Sequence, residues 1–189
     1  MKTLRRVLSL SAAFVLAMTC FTTTASAAVD YYLKIDDIKG ESRATGFAEQ
    51  IDVESFKAGV QQRGISDFGG GAAAGKSEFL PLRIIKFVDA ATPQLFVACA
   101  TGKRIPKATL TAVRLVGDNQ VTFLEITLSD VLISSVNQEP GDNDGTNILL
   151  EIVALNFSRI EISYTPQNSN GSPGTPIKTS FDVKKNVAK

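Results

Sequence analysis

Apolar and polar residues alternate with a period of two along most of this chain. YYLKID, Tyr31–Asp36, is aromatic and alternating and predicts a first strand, which DIKGES breaks at Gly40. In QIDVESFKAGVQ, Gln50–Gln61, the residues Ile51, Val53 and Ser55 share one parity with charge between them, giving a second strand. Phe56 leaves that parity, so a twist or bulge is expected between Phe56 and Gly59. RGISDFGGGAAAG, 63–75, reads as a flexible loop whose three alanines are too few to make a helix. SEFLPLRIIKFV, Ser77–Val88, is a third strand with Phe79, Ile85 and Phe87 on one face, and Pro81 requires its start to lie at an edge or a bulge.

The single helical pattern follows in VDAATPQLFVACATGKR. Thr92 is expected as N-cap, Pro93 as the first helical residue, Leu95, Phe96 and Cys99 as the apolar stripe, and Gly102 as the stop. Beyond it the pattern returns to strands at Lys107–Val116, Val121–Leu128 and Ser129–Asn137, with GDNQ as a turn and EPGDNDGT as a polar loop. Asn147–Pro166 is long and β-rich, and its apolar face switches near Ser158, as at a bulge or a strand passing between sheets. Gln167–Pro176 is a loop, and Ser180–Val183 a last short strand. The fold class is therefore mainly β: a compact antiparallel β-barrel or two-sheet sandwich with one short flanking α-helix. A βαβ fold would need helices alternating with the strands, and they are missing. Val131–Ile133 and Ile148–Val153 are apolar on both parities, as suits either a core strand or one covered by a partner.

The N-terminal segment belongs to a different pattern. MKTLRR carries three bases, Val7–Phe21 is apolar, and TTTASAA offers Ala25 and Ala27 for an A-x-A cleavage. This is the layout of a secretory signal peptide, residues 1–27, leaving 28–189 as one domain. The apolar run is short of the roughly 20 residues that span a bilayer, so no membrane insertion is expected after cleavage. Thr19 before Cys20 is a poor fit to a lipoprotein signal. With residues 1–27 removed, 17 bases face 19 acids, a balance of −2, and no basic stripe marks a nucleic-acid partner. Cys99 is then alone, so no internal disulfide can form.

Candidate chemistry is sparse. GGAAAGKS, 70–77, fits the phosphate-binding loop pattern, but such a loop runs from a strand into a helix. Here a β pattern with Pro81 follows, so phosphate binding is rejected. The chain has no His, which excludes Ser-His-Asp and Cys-His catalysis and His-ligated metals. Asp36–Asp37, Asp52–Glu54 and Asp130 are the acids from which a carboxylate pair could be drawn, and Asp142–Gly145 resembles a fragment of a calcium loop without its remaining ligands. Cys99 is expected to be a buried thiol. No catalytic, cofactor-binding or metal-ligating residue is assigned, and no enzymatic activity is expected.

Six stretches stand in order: YYLKIDDIKGES, EQIDVESF (49–56), IIKFVDAATPQLFVACATGKRIPKATLT (84–111), LEITLSDVLISSV (124–136), LNFSRIEISYTPQ (155–167) and SFDVKKN (180–186). Together, from Val29 to Lys185, they resemble the Hcp family, the haemolysin-coregulated tube proteins of the bacterial type VI secretion system. The resemblance implies a barrel-like pair of sheets with a flanking helix around Asp89–Thr101 and a protruding loop at or beside Asp67–Lys76 that touches neighbouring rings. It further implies hexameric rings stacking into a tube, sheath, spike and small effector proteins as partners, and no catalysis or cofactor. Two departures stand out: a signal peptide, which the family does not normally carry, and Phe181 where the family often has Trp. The signal implies a secreted or periplasmic location. It admits an alternative, an exported stand-alone Hcp-like binding or effector protein outside the working tube.

Overall fold

The computed structural model describes residues 28–62, 77–116, 119–143 and 146–188. The expected signal peptide, most of the 70–77 motif and the expected protruding loop lie outside them. The described chain is mainly antiparallel β with one helix. Strands β1 (Val29–Ile35), β2 (Ile51–Val53), β3 (Ser55–Gln61) and β4 (Glu78–Phe87) lead to helix α1 (Thr92–Thr101). Strands β5 (Arg104–Val116), β6 (Asn119–Asn143), β7 (Thr146–Asn156), β8 (Arg159–Tyr164), β9 (Ile177–Asp182) and β10 (Val187–Ala188) follow.

One layer runs β10-β9-β8-β6-β5-β1-β2, and a second runs β6-β7-β4-β3. Two bent strands join them. The first is β6, whose 25 residues span about 80 Å at the usual rise, several times a typical strand. Its first half pairs β5 and β8, and its second half pairs β7. It turns where Asp130 takes φ of 51° and where Ser134 is an extra residue against β7. Ser129–Asn137 is thus no separate strand but the bend and continuation of β6. The second joint is β2–β3, one run interrupted at Glu54, whose N–H donates to the Ile85 carbonyl of β4. The core lies between the layers, built from Leu33, Ile51, Leu82, Ile84, Leu128 and Leu155, among others.

Several sequence expectations hold in detail. A register shift lies between Lys57 and Gly59, within the expected stretch. It arises because Pro81 and Leu82 of β4 together face Ala58, so Pro81 sits in a bulge, and the β7 ladder starts only at Leu82. Chain 156–159 breaks at Phe157–Ser158, where β7 gives way to β8 and the pairing partner changes from β4 to β9. Ser77 leads into β4, a strand where a phosphate loop needs a helix.

The polar segment after Asn137 departs from expectation. Glu139–Asn143 continue β6 and pair with Thr146–Leu150. Gly141 allows it: a Cβ there would lie 2.7 Å from the Leu150 side chain that crosses it. Composition marked a loop, but an apolar partner strand supplied the ladder.

Candidate assembly edges and the charge clusters behind them

In the β6-β7-β4-β3 layer, β3 pairs only with β4, leaving its outer edge unpartnered among the described residues. At the opposite side, β5 accompanies β6 only as far as Leu132, so β6 from Ile133 onward has β7 on one side and no named strand on the other. Pro140 fits an edge position, where a missing N–H costs the ladder nothing. Among the described residues, one four-stranded layer therefore presents two edges of different sequence without a further strand partner, on opposite sides, with α1 packed against β6. β3 is exposed along most of its length, with Val60 57% exposed. Unpaired N–H and C=O groups on such edges are ready to pair with another chain.

A buried ionic cluster fixes the helix against this layer. Lys86, Glu151 and Gln138 are cross-strand neighbours on β4, β7 and β6. Lys86 and Glu151 are fully buried. The Lys86 ammonium lies 2.7 Å from the Phe87 carbonyl, 2.7 Å from Asp89 Oδ1, 3.0 Å from Glu151 Oε2 and 3.2 Å from Thr92 Oγ1. Thr92 donates its hydroxyl proton to Glu151 Oε2 and accepts from the Asp89 N–H, while Gln138 Nε2 donates to Glu151 Oε1. Asp89 Oδ1 also accepts from the Ala91 N–H. Every charge has an opposite partner or a hydrogen bond, the condition under which buried ions are tolerated.

This explains two corrections at the helix. Ala91, not Thr92, is the N-cap residue, because the Thr92 hydroxyl is committed to the ionic cluster instead of to the free helix N–H groups. The buried face is Thr92, Leu95 and Ala98, a spacing of three, while Phe96 and Val97 are each 60% exposed. Cys99 is a free, partly buried thiol packed at the margin of the core. Gly102 caps the helix with φ of 64°, its N–H donating to Cys99 and Ala98 carbonyls, as the sequence predicts.

The bend of β6 carries a second, exposed cluster. Asp130 accepts from Lys184 and from Ser158 Oγ at 2.6 Å, with Arg104 at 3.5 Å. The hydrogen bond from Lys184, then that from Ser158, together with the charges of Lys184 and Arg104, hold its carboxyl at about 2. Asp130 thus serves the bend, with Lys184, Ser158 and Arg104 as its partners. Asp37 faces Lys103 at 3.8 Å, and Asp52 sits opposite Tyr32 on β2. Burial, then the charges of Asp30 and Asp52, raise the Tyr32 phenol. Among the described residues no group of three or more His, Cys, Asp or Glu is placed to hold a metal. Phe181 lies 4.9 Å from Phe79, against the core.

The sequence missed the Lys86–Glu151 cluster, although it left a signal. IIKFV and LLEIV each place one charge in an apolar strand. A lone charge of that kind must find a buried partner of opposite sign.

Residues 32–164 match the family model described as "Type VI secretion system effector, Hcp". Protein hcp1 of Pseudomonas aeruginosa is 42% identical over 161 residues, spanning 85% of this chain and 98% of that protein. The crystal structure of Hcp1 from Salmonella typhimurium superposes with a TM-score of 0.70 at 29% identity, over 86% of this chain and 99% of the other. A structure described as a type six secretion system protein gives 0.77 at 26%, over 86% and 100%. With the strand order, the flanking helix and the family match across most of its length in agreement, this chain belongs to the Hcp family of type VI secretion proteins.

Proposed function

We propose that this protein is a non-enzymatic structural subunit of type VI secretion that assembles into hexameric rings, which stack into a tube. The observation that carries the reading is the pair of dissimilar free edges on one layer, β3 and the far half of β6. Dissimilar edges make a heterologous contact, and such contacts close into rings when the rotation per subunit allows it. Sheath, spike and small effector proteins are the partners this role brings. Residues 1–27 direct export, and the remaining chain works as one domain outside the cytoplasm. That N-terminal segment favours one second reading, an exported Hcp-like protein that forms rings or binds a partner without joining the secretion tube.

Mixing edge variants tests the assembly. Ala58→Pro blocks β3, and Val136→Pro, whose N–H shares with that of Pro140 the direction away from β7, blocks the free half of β6. Each variant alone should be monomeric or shorter in assembly than wild type, and their mixture should give a heterodimer through the one intact edge of each. Full rings from either single variant would sink the edge assignment.

A further inference from the structure

A cavity of about 150 Å³ opens between the β3–β4 pair and the β6–β8 pair. Ten of the described residues line it, and all are apolar. Leu82, Ile126 and Ile160, each buried, contribute to its wall, and Val60 lies at its exposed rim. Its origin is local. Where β4 carries its extra residue at Pro81–Leu82, β3 offers only Ala58 and then Gly59. Ala58 carries only a methyl, too short to fill the space beside the bulge. Protein interiors are otherwise packed almost without gaps of this size.

The lining decides what can enter. Water needs two or more polar partners to settle in a cavity, and an apolar pocket of about this size that is partly open at Val60 offers it none while accepting small apolar molecules. A charged or hydrogen-bonding group would lose its hydration and gain no partner. Phe79 and Phe157, edge to face with centroids 6.1 Å apart, add aromatic surface. The geometry points to a binding site for a small apolar molecule, a single aromatic ring or a short branched alkyl group. The cavity lies within one protomer, and its rim at Ala58–Val60 belongs to the same β3 strand as the proposed assembly edge.

The test is a titration of the purified protein with fluorobenzene, followed by ¹⁹F and methyl NMR. Saturable binding is expected with a dissociation constant on the order of 1 mM, well inside the limit for a ligand of this size. The methyls of Leu80, Leu82, Ile126 and Ile162 should shift, and those of Ile105 and Ile133 should not. Leu80→Phe and Ile162→Phe, which fill the space, should each weaken binding by about tenfold or more. Benzoate, the same ring with a charge, should not compete. Non-saturable partitioning, shifts confined to other methyls, equal competition by benzoate, or unweakened binding in a folded filled variant would each overturn the assignment. Should both variants fail to fold, the wild-type methyl shifts and the benzoate competition decide it.

Discussion

Two ionic clusters hold this fold, in opposite surroundings. Lys86, Glu151, Asp89 and Thr92 meet in the interior beneath the start of α1, where both Lys86 and Glu151 are fully buried. Asp130, Lys184, Arg104 and Ser158 meet at the surface beside the bend of β6. Similar groups lie at similar distances in both, and solvent separates their consequences. A buried cation removed from its carboxylates leaves charge with nowhere to go, whereas an exposed one is replaced by water and counter-ions.

Breaking the buried cluster should therefore have the largest effect. Lys86→Met should destabilise the domain by about 3–5 kcal/mol in urea unfolding, because the buried Glu151 carboxyl and that of Asp89 lose the cation that balances them. Lys86→Met combined with Glu151→Leu should recover a substantial part of that loss, since the stranded carboxylate opposite Lys86 is gone. Thr92→Val keeps the shape and removes the hydroxyl that links Asp89, Lys86 and Glu151, so a loss of about 1–3 kcal/mol is expected by the same measurement. Lys184→Met at the exposed cluster should move the unfolding midpoint only slightly, and high salt should erase that small difference while leaving the Lys86→Met effect in place.

Acid sharpens the contrast further. The Asp130 carboxyl is held at about 2, below the ordinary aspartate value of 3.8. The unfolded chain therefore binds more protons than the folded one in that interval, and stability rises with pH across it. The Asp130 contribution is complete above the ordinary value and is lost as pH falls toward 2. Asp130→Asn should flatten this part of a plot of unfolding midpoint against pH, and an unchanged slope would contradict the assignment.

Most of the β-framework was legible because its signals are local. Alternation placed the strands, Phe56 marked the bulge between Lys57 and Gly59, the switch of apolar face near Ser158 marked the break between β7 and β8, and Gly102 announced the helix stop. What escaped was set by distant partners. The continuity of β6 through Asp130 depends on β8 giving way to β7 across it. Glu139–Asn143 became strand because Thr146–Leu150 lies alongside. The N-cap moved because Glu151, 59 residues from Thr92, takes the Thr92 hydroxyl. Phe96 looked like core because its type is apolar, yet the layer beneath the helix meets only the Thr92, Leu95 and Ala98 face. The two free edges are likewise a property of pairing, so no stretch of sequence shows them alone.

Ring closure is tested most directly by the mass of the assembled protein. Native mass spectrometry of the wild-type chain should show a closed species at six times the protomer mass, with smaller species present only as minor dissociation products. A monomer at the highest usable concentration, or a dimer that grows no further, would contradict ring closure through the β3 and β6 edges.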